Sequence, residues 1–198
     1  MKTTTRRGQQ HEVRIIGGQW KRSKLAVLDR PGLRPTPDRV RETLFNWLGQ
    51  DLGGWRCLDA FAGTGALGFE AASRGAAEVV MLERDSALQS QLRDVRERLN
   101  ARQVRVESAD ALAWMARCEE ARFELVFLDP PFDAGVFDAA LAAAAQLPVH
   151  GGFVYLEANV EWPRESLEAI GLCPVRHLRA GSVHAQLLQR RERSSSGS

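Results

Sequence analysis

One segment decides how this chain folds: Cys57-Leu58-Asp59-Ala60-Phe61-Ala62-Gly63-Thr64-Gly65-Ala66-Leu67-Gly68. An apolar run leads into a glycine-rich turn, and the turn leads into a helical pattern. Glycines permit such a tight turn and let the backbone approach a ligand closely, while a helix start adds unpaired N–H groups. The segment therefore predicts a strand, a ligand-binding loop and a helix.

Beyond this loop the chain alternates between apolar runs and helical patterns. Strands roughly 20–30 residues apart with a helix between them are typical of βαβ units and a mainly parallel sheet. Gly181-Ser182, with no helix beside it, predicts an antiparallel hairpin at the sheet edge. We therefore expect an α/β, Rossmann-like fold with a mainly parallel seven-stranded sheet. The predicted strands are Cys57–Ala60, Val79–Leu82, Val104–Val106, Leu125–Leu128, Phe153–Leu156, Pro174–Arg179 and Ala185–Gln189.

The residues before the first sheet strand form a smaller unit. Val13–Ile16 and Leu25–Leu28 are short apolar runs around a basic stretch and predict a small β-hairpin. Thr36, followed by Pro37 and Asp38, predicts a helix whose N-cap is the Thr36 hydroxyl. The predicted organisation is a disordered basic tail at 1–12, a hairpin and helix extension at 13–50, a main domain at 51–192 and a flexible tail at 193–198.

Composition narrows the class of protein. The chain has 198 residues, of which 44% are hydrophobic and 26% charged, as in ordinary soluble globular proteins. The sequence contains no run of 18 apolar residues, so no membrane span is predicted. Three cysteines and four histidines are scattered, so neither a disulfide framework nor a zinc site is indicated. We expect a cytoplasmic protein without metal, and a monomer by default.

The net charge of +2 is unevenly distributed. Residues 1–41 hold 11 Lys and Arg against 3 Asp and Glu, a net charge of +8, whereas the remaining residues carry −6. Such an asymmetry favours contact between the basic end and a polyanion.

Two ligands fit the glycine loop. Gly63-x-Gly65-x-x-Gly68 matches a dinucleotide fingerprint, so a nicotinamide-dependent oxidoreductase is one reading. Asp59 favours the other, because a carboxylate there suits a cationic ligand better than a pyrophosphate. S-adenosylmethionine has an ammonium, a sulfonium and a ribose. Glu83, 20 residues after Gly63, is placed to accept from ribose hydroxyls, and Asp110 from an adenine amine or as a helix cap.

A second motif, Asp129-Pro130-Pro131-Phe132, ends an apolar strand. Proline locks φ and lacks an N–H, so the strand must stop and the Pro130 carbonyl points away from the sheet. Asp129 and that carbonyl are two acceptors beside the flat face of Phe132. Together the two acceptors suit the exocyclic amine of a nucleobase. Phe132 would stack on the base itself, which stabilises binding by roughly 1–3 kcal/mol.

The motif also suggests a chemistry. An exocyclic amine is a weak nucleophile because its lone pair is delocalised into the ring. Hydrogen bonds to Asp129 and the Pro130 carbonyl favour a pyramidal nitrogen and aim it at a sulfonium methyl. Inside a duplex this geometry is out of reach, so the base must be unpaired or flipped.

Three motif blocks together resemble a known family. The glycine loop and Asp129-Pro130-Pro131-Phe132 are similar to class I S-adenosylmethionine-dependent amino-methyltransferases. Arg14-Ile15-Ile16-Gly17-Gly18-Gln19-Trp20 and Gly32-Leu33-Arg34-Pro35-Thr36-Pro37-Asp38-Arg39-Val40-Arg41-Glu42-Thr43-Leu44-Phe45-Asn46-Trp47-Leu48 narrow the resemblance to the RsmD family of bacterial 16S rRNA guanine-N2 methyltransferases. The resemblance covers roughly residues 13–190. Thr64 stands where relatives often have serine, which retains a hydroxyl.

The resemblance implies site residues and a substrate within the small ribosomal subunit or an assembly intermediate. The implied catalytic residues are Asp129, Pro130, Pro131 and Phe132. The implied cofactor-binding residues are Asp59, Phe61, Gly63, Thr64, Gly65, Glu83, Arg84, Asp110 and Ala111. The implied RNA-binding residues are Arg14, Lys21, Arg22, Lys24, Arg34 and Arg39.

Several alternatives stay open at this point. The Asp-Pro-Pro-Phe motif serves adenine N6 and cytosine N4 as well as guanine N2, so an adenine-N6 methyltransferase of DNA or RNA is one of them. A non-catalytic RNA-binding assembly factor is another. Trp20 is expected to pack the extension onto the main domain rather than stack on RNA. Arg39 and Glu42 are placed either to contact RNA or to close over the cofactor.

Overall fold

The computed structural model describes residues 12–30, 36–118, 121–131 and 135–191. The predicted tails lie outside these ranges, except that Glu12 is already part of the first strand. The elements are β1 (Glu12–Arg14), β2 (Lys24–Ala26), α1 (Asp38–Trp47), β3 (Arg56–Asp59), α2 (Ala66–Ser73), β4 (Glu78–Glu83), α3 (Ser86–Arg98), β5 (Val104–Ser108), α4 (Ala111–Ala116), β6 (Phe123–Leu128), α5 (Phe137–Ala144), β7 (Pro148–Ala158), α6 (Arg164–Ala169), β8 (Leu172–Ala180) and β9 (Val183–Arg190).

Seven strands of the described ranges form one sheet in the spatial order β5-β4-β3-β6-β7-β9-β8, which confirms the predicted fold. The strands β3 to β7 pair in parallel, whereas β9 runs antiparallel to both β7 and β8. The chain proceeds from β3 to β4 and β5 on one side, and then returns to the other side of β3 with β6. In open α/β sheets the carboxyl ends of the strands at such a reversal form a crevice.

Apolar side chains cover both faces of the sheet. One face packs against α1, α2, α3 and the β1–β2 hairpin, and the other against α4, α5 and α6. Burial on both faces explains why the strands read as apolar runs rather than as alternating patterns. Leu25, Leu44 and Phe45 of the N-terminal extension are fully buried in the first of these clusters. The extension and the sheet therefore share one hydrophobic core.

Glu70 of α2 fastens the extension to the sheet. Its side chain is fully buried and accepts hydrogen bonds from the backbone N–H groups of Ile16 and Gly17, at 2.8 Å each. It also forms ion pairs with Arg41, at 3.4 Å, and with Arg74, at 2.8 Å. A buried carboxylate needs such partners to offset its lost hydration. The β1–β2 hairpin, α1 and α2 therefore meet at one charged group.

Two local features differ from the sequence-based expectation. The prediction that Thr36 caps α1 is wrong, because Pro37 occupies the cap position and no side chain caps the helix. The pattern also did not predict α6, a helix of six residues in which Leu167 is the one buried residue. A single buried apolar residue is too little for a helical stripe to be recognised. No helix within the described ranges has the length and apolarity needed to cross a membrane.

Candidate active site

A cleft of about 740 Å³ opens where the carboxyl ends of β3, β4, β6 and β7 meet, at the reversal of the strand order. This volume lies in the usual range for small-molecule sites. The cleft brings together most of the side chains predicted from the glycine loop and the Asp-Pro-Pro motif. These lining residues are Asp59, Phe61, Gly63, Thr64, Glu83, Arg84, Asp110, Ala111, Asp129, Pro130 and Pro131.

Asp59 ends β3 beneath the glycine loop. Only 2% of the residue is exposed, and its Oδ2 accepts a hydrogen bond from the Gly68 N–H at 3.0 Å. Burial raises the pKa of Asp59 from 3.8 to about 7, although hydrogen bonds from the Gly68 and Phe61 backbone oppose that rise. The wall of the cleft therefore holds a carboxyl group whose charge depends on what binds beside it.

Two glycines of the loop serve the protein's own packing. Gly65 has a φ of +77°, and a Cβ there would lie within 2.8 Å of Leu92 and Phe69. At Gly68 a Cβ would lie 2.5 Å from Met81 of β4. Gly65 does not line the cleft, unlike the other predicted cofactor-binding residues. Gly65 therefore permits the turn and allows α2 to pack closely against its neighbours.

Glu83, at the end of β4 and predicted to accept from ribose hydroxyls, is held in place by backbone N–H groups. Its Oε2 accepts from the Gly63 N–H at 3.0 Å, and its Oε1 from the Arg84 and Asp85 N–H groups at 2.8 Å each. A carboxylate has about four acceptor positions, so one of them stays available beyond these three bonds. The backbone therefore fixes the orientation of Glu83 at the wall of the cleft.

Asp110 performs one of the two roles that its sequence position left open, the capping of α4, and it also faces the cleft. Its side chain accepts from the Ala113 N–H at 2.9 Å and so caps α4. The residue also lines the cleft, opposite the Asp-Pro-Pro motif along the sheet edge. The capping bond fixes one carboxylate oxygen, which leaves the other for a ligand.

Asp129 follows β6 directly, and Thr36 contacts it from the N-terminal extension. The Thr36 hydroxyl donates a hydrogen bond to Asp129 Oδ2 at 3.1 Å. Burial raises the pKa of Asp129 well above its usual value, with a further rise from Glu157 and a smaller one from Asp59. The Thr36 hydrogen bond acts in the opposite direction. Phe132 lies outside the described residues.

Sequence reasoning missed several residues that line the cleft, among them Thr36, Glu157 and Arg30. Thr36 was assigned to a helix cap, and Glu157 sits in β7, where strand periodicity carries no sign of a site. Glu157 is 3% exposed and accepts from the Tyr155 hydroxyl at 2.9 Å. Arg30 follows the hairpin and pairs with Asp85 at 3.3 Å. Each comes from a different part of the chain, so only the folded structure joins them to the motifs.

The predicted RNA-binding residues fall into two groups. Exposed Arg39 lies in the first turn of α1, near Thr36, and Arg14 at the end of β1 reaches that helix start by pairing with Asp38 at 3.4 Å. Lys21 and Arg22 lie in the exposed turn of the hairpin.

That turn is bound at the far end of α2. The Gln19 and Trp20 N–H groups donate to Ser73, the last residue of the helix. The glycine loop lies at the other end of α2, about 12 Å away for eight residues. Trp20 is partly buried against the core, as predicted.

The other residues predicted to contact RNA or the cofactor lie in different surroundings. Lys24 pairs with Glu12 at 2.8 Å, and Arg34 lies outside the described residues. Arg39 and Glu42 are both exposed, and neither lines the cleft. In this structure neither side chain closes over the cleft, and RNA contact by Arg39 stays a prediction.

Comparison with known proteins decides the family. A family described as Conserved hypothetical protein 95 matches residues 13–189. The Escherichia coli protein named ribosomal RNA small subunit methyltransferase D is 44% identical over 155 residues, which cover 76% of each chain. This chain belongs to the RsmD family. It is therefore a methyltransferase, and the oxidoreductase reading is not supported.

Solved structures agree with the assignment of this RsmD-family chain. The Escherichia coli protein yhhF is 36% identical, with a TM-score of 0.78, and the match covers 91% of this chain and 99% of that one. A T. thermophilus 16S rRNA N2 G1207 methyltransferase, RsmC, solved with AdoMet and guanosine, is 26% identical with a TM-score of 0.71. That match covers 92% of this chain and half of RsmC. The chain thus has the class I methyltransferase fold.

Proposed function

We propose that this chain transfers a methyl group from S-adenosylmethionine to the exocyclic N2 of a specific guanine in 16S rRNA. One observation carries the proposal. The Asp129-Pro130 acceptors line the same cleft as Asp59 and Glu83, across the reversal of the strand order. The names of the relatives support small-subunit rRNA as the substrate class. The RsmC structure, solved with AdoMet and guanosine together, supports a methyl donor and a guanine as the two ligands.

The chemistry of the lining residues fits S-adenosylmethionine. Asp59 is a carboxyl group beside the loop and attracts an ammonium or sulfonium. Glu83 retains one acceptor position for a ribose hydroxyl, and Asp110 an oxygen for the adenine amine. S-adenosylmethionine supplies an electrophilic methyl group on a sulfonium centre. The protein supplies hydrogen-bond acceptors for this ligand. S-adenosylmethionine has no pyrophosphate, so it does not require a positively charged binding loop.

Asp129 and Pro130 prepare the nucleophile. The two N–H bonds of the amine donate to an Asp129 oxygen and to the Pro130 carbonyl, which favours a pyramidal nitrogen with its lone pair free. The new N–C bond forms as the C–S bond breaks, and the electron pair of that bond stays on sulfur. The methylated nitrogen is then strongly acidic. Asp129, whose pKa is raised, accepts its proton.

The RNA must deliver an unpaired guanine to the cleft. The extension is small and lacks the separate reader of sequence-specific DNA methylases, which favours a base presented by folded rRNA. Arg14 and Arg39 beside the start of α1, and Lys21 and Arg22 in the hairpin turn bound at the far end of α2, offer positive charge for the phosphates. The small subunit or an assembly intermediate provides such a substrate.

Methyl transfer from labelled S-adenosylmethionine tests this function. Unmethylated small subunits, protein-free 16S rRNA and DNA are incubated in parallel, and the products are digested to nucleosides for mass spectrometry. N2-methylguanosine from an RNA substrate is the expected result. N6-methyladenine as the product, or transfer to DNA alone, would show that the substrate assignment is wrong.

A matched pair of variants tests the mechanism. Asp129→Ala is expected to lower kcat by at least about a hundred-fold while S-adenosylmethionine still binds, because a positioning acceptor is lost. Asp138→Ala, on the exposed side of α5, is the control and retains full activity. Turnover of Asp129→Ala at the wild-type rate would contradict the mechanism.

A further inference from the structure

Thr36 links the N-terminal extension to the proposed reaction centre. Its hydroxyl, from the segment before α1, donates to Asp129 Oδ2 at 3.1 Å across 93 positions of sequence. Thr36 is 3% exposed, and it lines the cleft together with Asp129. A buried hydroxyl that donates to a carboxylate makes a directional contact that restricts rotation of the acceptor group. Its partner is the side chain on which the proposed chemistry depends.

Arg41 holds the backbone of Thr36 in place. The Arg41 side chain is fully buried, and its Nε donates to the Thr36 carbonyl at 3.2 Å. Its other nitrogens contact Asp38 Oδ1 at 2.6 Å and Glu70 Oε2 at 3.4 Å. Glu70 belongs to α2, the helix that begins at the glycine loop. The position of Thr36 is therefore fixed relative to both halves of the cleft.

We propose that Thr36 is the positioning residue of the reaction: its hydroxyl fixes Asp129 through Oδ2 and leaves Oδ1 to accept from the substrate amine. This inference rests on the proposed function. It also gives the extension a second task, since the same 38 residues that present Arg14, Lys21 and Arg22 complete the reaction centre. Without the hydroxyl, the Asp129 carboxyl can rotate, and the amine loses its fixed acceptor.

The charges around Asp129 explain why a donor is needed there. Glu157 of β7 and Asp59 of β3 both oppose ionisation of Asp129. Tyr155 donates its hydroxyl to Glu157 and not to Asp129, and Arg41 directs its nitrogens to Thr36, Asp38 and Glu70. The Thr36 hydroxyl is the hydrogen bond that lowers the pKa of Asp129. Removing it favours the protonated acid, which is a poorer acceptor.

Three variants test the inference in the full chain. Thr36→Val keeps the shape and removes the hydroxyl, Thr36→Ser keeps the hydroxyl, and Thr43→Val makes the same change on α1, where the hydroxyl donates to the Arg39 carbonyl. Steady-state methyl transfer is measured across pH. We expect Thr36→Val to lower kcat by about ten- to a hundred-fold. The KM for S-adenosylmethionine should stay within about two-fold, with the acidic limb of the kcat profile moved to higher pH.

Thr36→Ser is expected to stay within about three-fold of wild type, and Thr43→Val to equal it. The inference is wrong if Thr36→Val keeps the wild-type kcat and pH profile, or if Thr36→Ser loses as much kcat as Thr36→Val. Thermal unfolding of each variant is measured alongside. If Thr36→Val does not fold, Thr36→Ala replaces it, and Thr36→Ser still decides between hydroxyl and shape.

The wild-type product separates this inference from the proposed function. If the wild type forms N2-methylguanosine and Thr36→Val is fully active, only the role of Thr36 fails. If the wild type methylates a different base, the substrate assignment fails. The Thr36 variants are then measured on that base, where the same loss of kcat is expected.

Discussion

The side chains of Glu70 and Arg41 form an ion pair at 3.4 Å in which neither side chain is exposed to solvent. Glu70 belongs to the helix after the glycine loop, and Arg41 to the helix of the N-terminal extension. Through this pair, the element that forms the cofactor cleft and the element that holds Thr36 behave as one unit. The integrity of the proposed reaction centre therefore depends on a charged contact outside the cleft.

Glu70→Gln should destabilise the protein strongly. The change leaves the buried guanidinium groups of Arg41 and Arg74 without their shared carboxylate. Breaking a buried pair from one side costs about 3–5 kcal/mol. Urea unfolding measures the loss. Glu168→Gln is the control, since the Arg164–Glu168 pair is exposed and its loss should cost under about 1 kcal/mol. Equal unfolding midpoints for the two variants would contradict this account.

Glu157→Gln should move the acidic limb of the kcat profile to lower pH. The negative charge of Glu157 raises the pKa of Asp129, so its removal lets Asp129 ionise, and accept a hydrogen bond, at lower pH. Glutamine still accepts from the Tyr155 hydroxyl, which preserves the local structure. Steady-state rates across pH measure the shift. Glu161→Gln, an exposed neighbour, should leave the profile unchanged, and a shift in the opposite direction for Glu157→Gln would refute the argument.

Asp59→Asn should stabilise the ligand-free protein above neutral pH. Because the pKa of Asp59 is raised from 3.8 to about 7, the folded state holds a proton that the unfolded state releases between those values. The free energy of unfolding therefore falls as pH rises through this window, by up to about 4 kcal/mol. Losing one acceptor for the Phe61 N–H reduces the expected gain to about 1–3 kcal/mol at pH 8.

Urea unfolding of the ligand-free Asp59→Asn protein at pH 4 and pH 8 checks this expectation. Asp59→Asn should be no more stable than wild type at pH 4 and more stable at pH 8, whereas Asp94→Asn, on the exposed face of α3, should match wild type at both. Asp59→Asn should also weaken S-adenosylmethionine binding at pH 8, because the carboxylate proposed to attract its ammonium is gone. A variant that gains no stability at pH 8 would contradict the assignment of Asp59 as a strained buried acid.

Charge reversal in the extension should affect RNA use and not cofactor binding. Arg39→Glu, near the cleft, and Lys21→Glu with Arg22→Glu, in the hairpin turn, should each raise the KM for the RNA substrate. The salt dependence of RNA binding should fall by about one unit of slope for each lost phosphate contact. Arg102→Glu with Arg117→Glu, at the amino ends of the strands, is the control. Unchanged RNA KM and salt slope in the first two variants would remove these residues from the interface.

Local signals explain most of what could be predicted from the sequence. The apolar runs and the Gly181-Ser182 turn predicted the seven strands, because strands buried on both faces have few polar positions. Asp59, Glu83 and Asp129 could be predicted to lie together for a similar reason: each ends or directly follows a parallel strand, and the carboxyl ends of such strands meet at one edge. The short helix α6 was not predicted, because a single buried residue produces no helical periodicity in the sequence.

Other features depend on contacts between distant residues. The sequence predicted Thr36 to be a helix cap, because its neighbours are a proline and an acid, yet its hydroxyl donates to Asp129, directly after β6. Arg41 looked like one more charge of a basic arm, and the fold buries it completely beside Glu70. The separation of Lys21 and Arg22 from the cleft likewise follows from the direction of α2.

The sequence by itself determined the sheet, the glycine loop, the Asp-Pro-Pro motif and the family resemblance, since each depends on residues close together along the chain. Only the tertiary structure decided which side chain holds Asp129, how Glu70 joins the extension to the loop helix, and which charges lie near the cleft. The physical reason is that periodicity and turn chemistry act over a few residues. Hydrogen bonds and the electrostatics of buried groups depend on distances that exist only after the chain has packed.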